Sequence, residues 1–220
     1  MFTYLLIDLL IIAFPLALSF DKKVAFYQQW RYIWQGILLN MLVFIPWDAA
    51  FSKLGVWSFE GKYLLGLHWI HLPLEEYFFF LVVPYAALFI YRCLEVYFPK
   101  DYLFRWRAPI AWAIIFICLL IYLTHPGKLY TAVNCLYLSF ALLIVLLSGR
   151  GEFLGRFFLC YLILIIPFFI FNGALTNLPV VKYNDAENMG IRLLNIPVDD
   201  FFYNMGMLLI PVANYVRIRK

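Results

Sequence analysis

Long apolar runs separated by short polar connections dominate the sequence. Seven of these runs reach or approach the roughly 20 residues that a helix needs to cross a bilayer. They lie at about 2–20, 32–47, 74–98, 108–124, 129–147, 153–171 and 198–216. Two connections, 47–72 and 172–196, are longer than the others and rich in aromatic residues. The pattern predicts an all-α fold, a polytopic transmembrane helical bundle of about seven spans.

The composition fits a chain whose main solvent is lipid. Hydrophobic residues make up 65% of the 220 residues and charged residues 14%, a balance far from that of soluble domains. The first run has neither a basic leading segment nor a small-residue cleavage site, so we expect a retained span rather than a signal peptide. The four cysteines follow no metal-like spacing and are expected to be small buried hydrophobic residues.

The basic residues predict the orientation of the bundle. With seven spans, the first, third and fifth loops and the C-terminus share one side, and that side carries twelve of the 17 Lys and Arg residues. Since cytoplasmic loops are enriched in Lys and Arg, we expect the C-terminus in the cytoplasm and the N-terminus outside. The two long aromatic connections then lie on the outer side. We expect an integral protein of the bacterial inner (cell) membrane.

The chain contains an internal repeat with a shift of 124 positions. One gapless register pairs Trp47-Asp48 with Phe171-Asn172, Phe59 with Tyr183, Gly66 with Gly190, Pro73 with Pro197, Glu75-Glu76 with Asp199-Asp200, and Phe78 with Phe202. Such a match in one register indicates a genuine repeat. Residues 1–98 then form a first three-span unit, 99–125 a linking transmembrane helix, and 126–220 a second three-span unit. This parallel 3+1+3 arrangement places a site at the interface of the units and predicts that the two halves can work as separate chains.

Each unit carries two adjacent carboxyl groups at the start of its last span. Pro73 precedes Glu75 and Glu76, and Pro197 precedes Asp199 and Asp200. A proline followed by acids is an ordinary helix start. Here aromatic residues follow both doublets directly, so the acids lie at or below the membrane surface, where carboxylates usually face a bundle interior. We therefore favour a functional role for the four acids over a purely capping one.

Other polar residues near the doublets are weaker candidates. Asp48 ends the second span and has Asn172 as its repeat partner, so a capping role and a site role are equally supported. His68 and His71 invite a metal interpretation, but two histidines alone are a weak motif, and we favour hydrogen-bonding or interfacial histidines.

Two further charged residues lie in or near the outer ends of the spans. Arg192, the repeat partner of His68, is expected to pair with an acid of the cluster. Asp8 lies inside the first span near its outer end, opposite Ala132 in the repeat, and is a minor candidate.

Aromatic residues are concentrated beside the acids. Trp47, Trp57, Trp69 and the Phe and Tyr residues after each doublet are most often packing or interfacial residues. Aromatic faces also stabilise a carbocation, which a neighbouring acid can generate. The sequence contains no dinucleotide fingerprint, no P-loop and no spaced aspartate motif. We therefore expect neither a metal nor a cofactor.

Taken together, these motifs resemble the small membrane lycopene cyclases of carotenoid biosynthesis. The resemblance rests on Asp48, Trp57-Ser-Phe59, the stretch from Pro73 to Phe79, and the stretch from Pro197 to Tyr203. It covers nearly the whole chain and matches the fused form, in which the two three-span units share one polypeptide.

The resemblance implies a redox-neutral cyclisation of the linear ends of lycopene into β-rings. A protonated carboxyl among Glu75, Glu76, Asp199 and Asp200 is the acid and an ionised neighbour the base, in a water-free pocket that opens laterally to lipid. Asp48 is a fifth catalytic candidate. The expected substrate-binding residues are Trp47, Trp57, Phe78, Phe79, Phe202, Asn172 and Arg192. The expected partners are lycopene or a related linear carotenoid and membrane lipid, with a second copy of the chain or carotenoid-pathway enzymes in addition, and no nucleic acid.

Other functions remain open at this point. Within the same chemistry, the alternatives are hydration of the terminal alkene and cyclisation of a prenyl-extended carotenoid. A small proton-coupled transporter is a different class, but it requires polar residues along several spans, whereas the helix interiors here are almost wholly apolar. A structural assembly subunit predicts that changes in the acid doublets alter folding but not pigment.

Overall fold

The computed structural model describes residues 2–219, and within them the chain forms seven α-helices that are capped at one end by short strands. The helices are α1 (Thr3–Leu18), α2 (Trp30–Leu54), α3 (Leu74–Tyr97), α4 (Arg107–Thr124), α5 (Leu129–Leu147), α6 (Leu154–Asn177) and α7 (Asp199–Arg219). The strands are β1 (Trp57–Phe59), β2 (His68–Trp69), β3 (Leu72–Pro73), β4 (Val181–Tyr183), β5 (Arg192–Leu193) and β6 (Ile196–Pro197). The predicted helical bundle is confirmed.

The bundle has the dimensions and the surface of an integral membrane protein. Five helical segments of the described chain are long and apolar enough to cross a membrane, and they contain α2 to α6. The α1 helix has 16 residues, or about 24 Å, and packs along α3, while α7 packs along α2 and α5. Large apolar side chains such as Phe116 and Leu123 are exposed on the outside of the bundle. In a membrane these side chains contact lipid.

Two helices are longer than their apolar runs predict. The α2 helix continues to Leu54 and α6 to Asn177, so Asp48 lies well inside its helix rather than at its end. The residues after Asp48 are compatible with helix, and Gly55, with a φ of 75°, ends α2 in the left-handed conformation. Asp48 is therefore held by a rigid helical backbone.

The helices of the two units pack with the symmetry of the repeat. Within the units, α1 packs on α3 and α5 on α7. Between the units, α2 packs on α7 and α6 on α3, and α3 also contacts α7. The α4 helix packs on α5 and α6. The middle helix of each unit thus packs on the last helix of the other unit. A pseudo-twofold axis between α3 and α7 relates the two halves.

The strands at the capped end follow the same axis. The β1 and β4 strands pair antiparallel with Ser58 opposite Lys182, and these two residues are partners in the repeat. Each unit adds one hairpin, β2–β3 in the first and β5–β6 in the second. The flanking backbone hydrogen bonds repeat as well: Glu60 N to Val180 O matches Asn184 N to Val56 O, and Leu74 N to Leu67 O matches Val198 N to Ile191 O. The repeat therefore extends to individual hydrogen bonds of the cap.

An ion pair joins the two units on the surface of this cap. Lys182 donates a hydrogen bond to Glu60, and this contact lowers the pKa of the Glu60 carboxyl. Both side chains are partly exposed. Solvent screening makes such pairs weak, so the backbone pairing and the helix packing beneath it carry the cap.

The α2 and α7 helices approach each other closely at Gly36. A Cβ placed on Gly36 lies 3.0 Å from both the Cα and the O of Pro211. We expect Gly36→Val to destabilise the bundle by about 1–3 kcal/mol, because overpacking forces the helices apart. Thermal unfolding of the detergent-solubilised protein measures this effect. Gly61→Ala is the matched control, since a Cβ at Gly61 meets nothing within 4 Å; equal stability of the two variants contradicts the prediction.

The separability of the units is a second prediction. We expect fragments 1–100 and 101–220 to assemble when they are co-expressed, because the α2–α7 and α6–α3 contacts join them without a covalent link. Co-purification on a tag attached to one fragment measures assembly, and Gly36→Val in the first fragment is expected to reduce it. Recovery of each fragment as a monodisperse species that ignores the other contradicts the prediction.

Candidate active site

The two acid doublets lie together beneath the strand cap, at the ends of α3 and α7 that adjoin the cap. Pro73 and Pro197 close the hairpins, Pro73 directly before α3 and Pro197 two residues before the first residue of α7, and their fixed φ favours a helix start. All four carboxyl-bearing side chains are buried. Successive residues of a helix point about 100° apart, so the two acids of one doublet face different surroundings.

The first acid of each doublet binds a loop of the cap. Glu75 Oε1 accepts a hydrogen bond from the Leu65 backbone N–H at 2.5 Å. Asp199 Oδ2 accepts one from the Met189 backbone N–H at 3.2 Å, and Leu65 and Met189 are repeat partners. Asp199 also accepts a hydrogen bond from the Thr131 hydroxyl at 2.5 Å. These two acids attach the cap to the bundle.

The second acid of each doublet faces an internal cavity. Glu76 accepts a hydrogen bond from the Tyr4 hydroxyl at 2.5 Å. Asp200 accepts three, from Tyr130 at 2.6 Å, Tyr183 at 2.8 Å and Asn172 at 2.9 Å. Burial raises the pKa of Tyr183, which lies in the cap, so its hydroxyl keeps the proton that it donates to Asp200. Asp200 thus has the richer set of donors.

Asp48 is the third carboxyl group on this cavity. It lines the wall beside Glu76 and Asp200, and its Oδ2 is buried without a hydrogen-bond partner among residues 2–219. Its repeat partner Asn172 instead donates to Asp200. The Asp48/Asn172 pair noted in the sequence therefore contributes an acid from one unit and a hydrogen-bond donor from the other.

Asp8, a minor candidate in the sequence, is a further buried acid. It is fully buried, and both of its carboxyl oxygens lack a partner in the described part of the chain. Tyr4 donates a hydrogen bond to Glu76, and Tyr130 donates the equivalent hydrogen bond to Asp200. This equivalence aligns α1 with α5 at a shift of 126 positions rather than 124. The expected match of Asp8 with Ala132 is therefore wrong.

The corrected register pairs Asp8 with Asn134, whose amide donates to the backbone O of Asp199 at 2.7 Å. The signal in the sequence is a tyrosine followed four residues later by an acid or an amide.

The cavity lies between α1, α3, α6 and α7 and has a volume of about 350 Å³. Its polar groups are gathered at the end beneath the cap, and the remaining wall is apolar and aromatic, including Phe79, Phe168 and Phe171. Leu10 and Phe14 of α1 belong to the wall, yet they are 49% and 75% exposed on the outside of the bundle. The cavity therefore opens sideways beside α1, where lipid surrounds the protein.

The predicted substrate-binding residues divide into two groups. Trp57, Phe79 and Asn172 line the cavity. Four others lie elsewhere: Phe78 in the apolar cluster around Tyr4, Trp47 and Phe202 in the main core, and Arg192 in strand β5. Helical phase explains the difference, since neighbouring aromatic residues on α3 and α7 point in different directions.

Arg192 does not pair with an acid of the cluster, and that expectation is wrong. It lies in the hairpin β5–β6 above the cap, where it bonds Asp185 and the backbone O of Asn195. Asp185 belongs to the same loop between α6 and α7 and is reached without burying the guanidinium group, whose desolvation is costly.

The histidines of the first hairpin lie on the exposed surface. His68 donates from Nδ1 to the backbone O of Gly66 at 3.3 Å, as the hydrogen-bonding interpretation predicts. His71 is also exposed. Within residues 2–219, no group of three His, Cys, Asp or Glu side chains is arranged to hold a metal ion.

Comparison with known proteins agrees with this geometry. The family model described as "Lycopene cyclase" matches residues 1–94 and 127–218, which are the two repeat units without α4. A bifunctional lycopene cyclase/phytoene synthase of Pyrenophora tritici-repentis is 34% identical over 62 residues, covering 27% of this chain and 11% of that protein. A protein of the same description from Phaeosphaeria nodorum is 34% identical over 51 residues, covering 23% and 9%.

The matched segments thus span only about a tenth of these two relatives. No solved structure matches the chain.

Proposed function

Because this chain belongs to the lycopene cyclase family, we propose that it cyclises the linear ends of lycopene to β-ionone rings inside the membrane. One observation carries the proposal: a cavity open to lipid has Asp48, Glu76 and Asp200 at one end and an apolar, aromatic wall elsewhere. A hydrocarbon substrate reaches such a cavity from the bilayer. Among the lining residues, the three carboxyl groups are the strongest acids and bases that the end of the substrate meets.

The reaction needs one proton donor and one proton acceptor. The acid adds a proton to the terminal alkene, forming a C–H bond and a carbocation. A double bond further along the chain attacks the cation and closes the ring, and a base removes a proton from the ring to regenerate an alkene. Protons and electrons balance without a redox partner. General acid–base groups typically contribute about 10²–10⁴-fold to such steps.

The hydrogen bonds around the carboxyl groups support an assignment of these roles. Asp200, with three donors, is the group best equipped to carry a negative charge, since donors stabilise a carboxylate. Asp48 Oδ2 has no donor within the described chain and Glu76 accepts only one hydrogen bond from a side chain. We therefore assign the acid to the Asp48–Glu76 side of the cavity and the base to Asp200.

The walls of the cavity protect the cation. The rings of Phe79, Trp57 and Tyr203 line the same cavity as the carboxyl groups, and aromatic faces attract a positive charge. The cap, attached by Glu75 and Asp199, closes the outer end against water, which would otherwise trap the cation as an alcohol. An apolar cavity that is open to lipid but closed to water favours cyclisation over hydration of the alkene.

The orientation and surroundings of the protein are part of the proposal. The distribution of basic residues supports an N-terminus outside and a C-terminus in the cytoplasm, in the cell membrane of a bacterium. The cavity then opens in the outer half of the bilayer. Association with a second copy or with other carotenoid-pathway enzymes stays a prediction.

Neutral isosteres separate the catalytic acids from the cap acids. We expect Asp48→Asn, Glu76→Gln and Asp200→Asn each to reduce cyclisation at least about 100-fold, because an amide neither gives nor takes the proton. Glu75→Gln is the matched control: its amide oxygen still accepts the Leu65 N–H, so a substantial part of the activity is retained. The measurement is chromatography of pigments from a lycopene-accumulating bacterial host, normalised to the amount of folded protein.

Two results contradict this assignment. Full cyclisation by all three cavity variants contradicts the acid–base roles of Asp48, Glu76 and Asp200. Loss of activity in Glu75→Gln at normal protein yield instead indicates that the first acid of the doublet is catalytic. A wild-type protein that is folded but converts no lycopene, in the host or in liposomes, contradicts the proposed function itself.

A further inference from the structure

The cavity occupies only one of two positions that the pseudo-twofold axis relates. It lies between α1, α3, α6 and α7, so its counterpart would lie between α5, α7, α2 and α3. Within the described chain that second position is filled by aromatic rings. The difference lies in the side chains, since the backbones of the two units follow the same pattern.

The helix that walls the cavity shows how the second position is closed. Phe168, Phe171 and Leu175 of α6 line the cavity, and their repeat partners on α2 are Phe44, Trp47 and Phe51. The Trp47 ring centroid lies 5.2 Å from that of Phe44, 5.3 Å from Tyr137 and 5.4 Å from Tyr203. These distances are those of packed aromatic pairs. Trp47, a predicted substrate-binding residue, is therefore part of a solid aromatic core.

One difference between equivalent side chains of α1 and α5 contributes directly to this asymmetry. The register that pairs Tyr4 with Tyr130 pairs Ile11 with Tyr137. Ile11 lines the cavity, whereas Tyr137 packs on Trp47 and on Gly206. A Cβ at Gly206 would lie 2.8 Å from the Tyr137 ring, and the repeat partner of Gly206 is Val82. The missing side chain at Gly206 makes the space that the Tyr137 ring occupies.

We propose that the chain has a single reactive chamber, which cyclises one end of the substrate per binding event. This inference rests on the proposed function and specifies how the substrate is handled. A volume of about 350 Å³ lies near the lower limit for sites that enclose drug-sized ligands. A forty-carbon chain therefore places one end beside the acids and extends the rest through the lateral opening. Its second end meets no second set of catalytic groups.

A two-ringed product then requires two separate binding events. After the first ring forms, the one-ringed product leaves through the lateral opening, turns and enters again with its linear end first. One-ringed carotenoid is therefore a free intermediate in the membrane rather than a species held by the protein.

A pulse–chase experiment in liposomes tests this inference. The purified wild-type chain is reconstituted with isotopically labelled lycopene and, early in the reaction, mixed with an excess of unlabelled lycopene. We expect the labelled one-ringed product to exceed the molar amount of protein before two-ringed product accumulates. We also expect the chase to reduce the later conversion of labelled one-ringed to two-ringed product several-fold, since both compete for the same chamber.

The outcomes of this experiment are distinct. A reaction that ends at one ring also supports the single chamber. Labelled two-ringed product that forms from the first turnover and is unaffected by the chase overturns it, while the proposed cyclase function stands. The absence of any cyclised product contradicts the proposed function instead.

Exchanging the two equivalent side chains tests which side reacts. We expect Ile11→Tyr to reduce cyclisation at least about tenfold, because it places a tyrosine ring in the open chamber. Tyr137→Ile removes the ring from the closed side and is expected to leave the rate of the folded protein within about threefold of the wild type. Tyr137→Phe keeps the ring and controls for stability, and thermal unfolding of each variant corrects for folding. Full activity of Ile11→Tyr together with loss of activity in folded Tyr137→Ile overturns the inference.

Discussion

The cost of burying carboxyl groups in a bundle surrounded by lipid is the constraint on which the rest of the structure depends. A carboxylate without partners at membrane depth is strongly unfavourable, yet this chain buries both acid doublets together with Asp8 and Asp48. It meets the cost by placing the doublets at helix starts, under a polar cap that supplies backbone N–H groups. Helix geometry then divides each doublet into one acid that binds the cap and one that faces the cavity.

The duplicated units are symmetric in their backbones, but a few side-chain differences make them functionally unequal. Asp8 and Asp48 in the first unit correspond to Asn134 and Asn172 in the second, so excess acid lies on one side and amide donors on the other. At another equivalent position, Ile11 leaves the cavity open in the first unit, whereas the Tyr137 ring fills the corresponding space in the second. A reaction in which one group gives a proton and another takes it needs such unlike neighbours, and a perfectly symmetric pair of units would supply only like ones.

The sequence alone predicts much of the fold because its signals are local or repeated. Span positions follow from apolar runs, and the gapless match around Glu75-Glu76 and Asp199-Asp200 anticipates the pairing of Ser58 with Lys182. The division of labour between Glu75 and Glu76 is not predictable in this way, since it depends on helical phase relative to neighbours. The register of α1 against α5 is hard to predict, because its sequence signal is only a tyrosine with an acid or an amide four residues later. The hydrogen bonds of Tyr4 and Tyr130 to equivalent acids establish it.

The sequence does not determine which of several possible partners a long or aromatic side chain contacts. Arg192 was expected to neutralise a buried acid, but Asp185 in the same loop offers a partner at lower desolvation cost. Trp47 was expected to contact substrate, but packing against Phe44, Tyr137 and Tyr203 fixes it in the core. Whether an aromatic residue lines a cavity or fills one depends on the volume of its neighbours, and here Gly206 decides it. A reactive chamber in a duplicated fold is thus defined as much by where side chains are small as by where they are acidic.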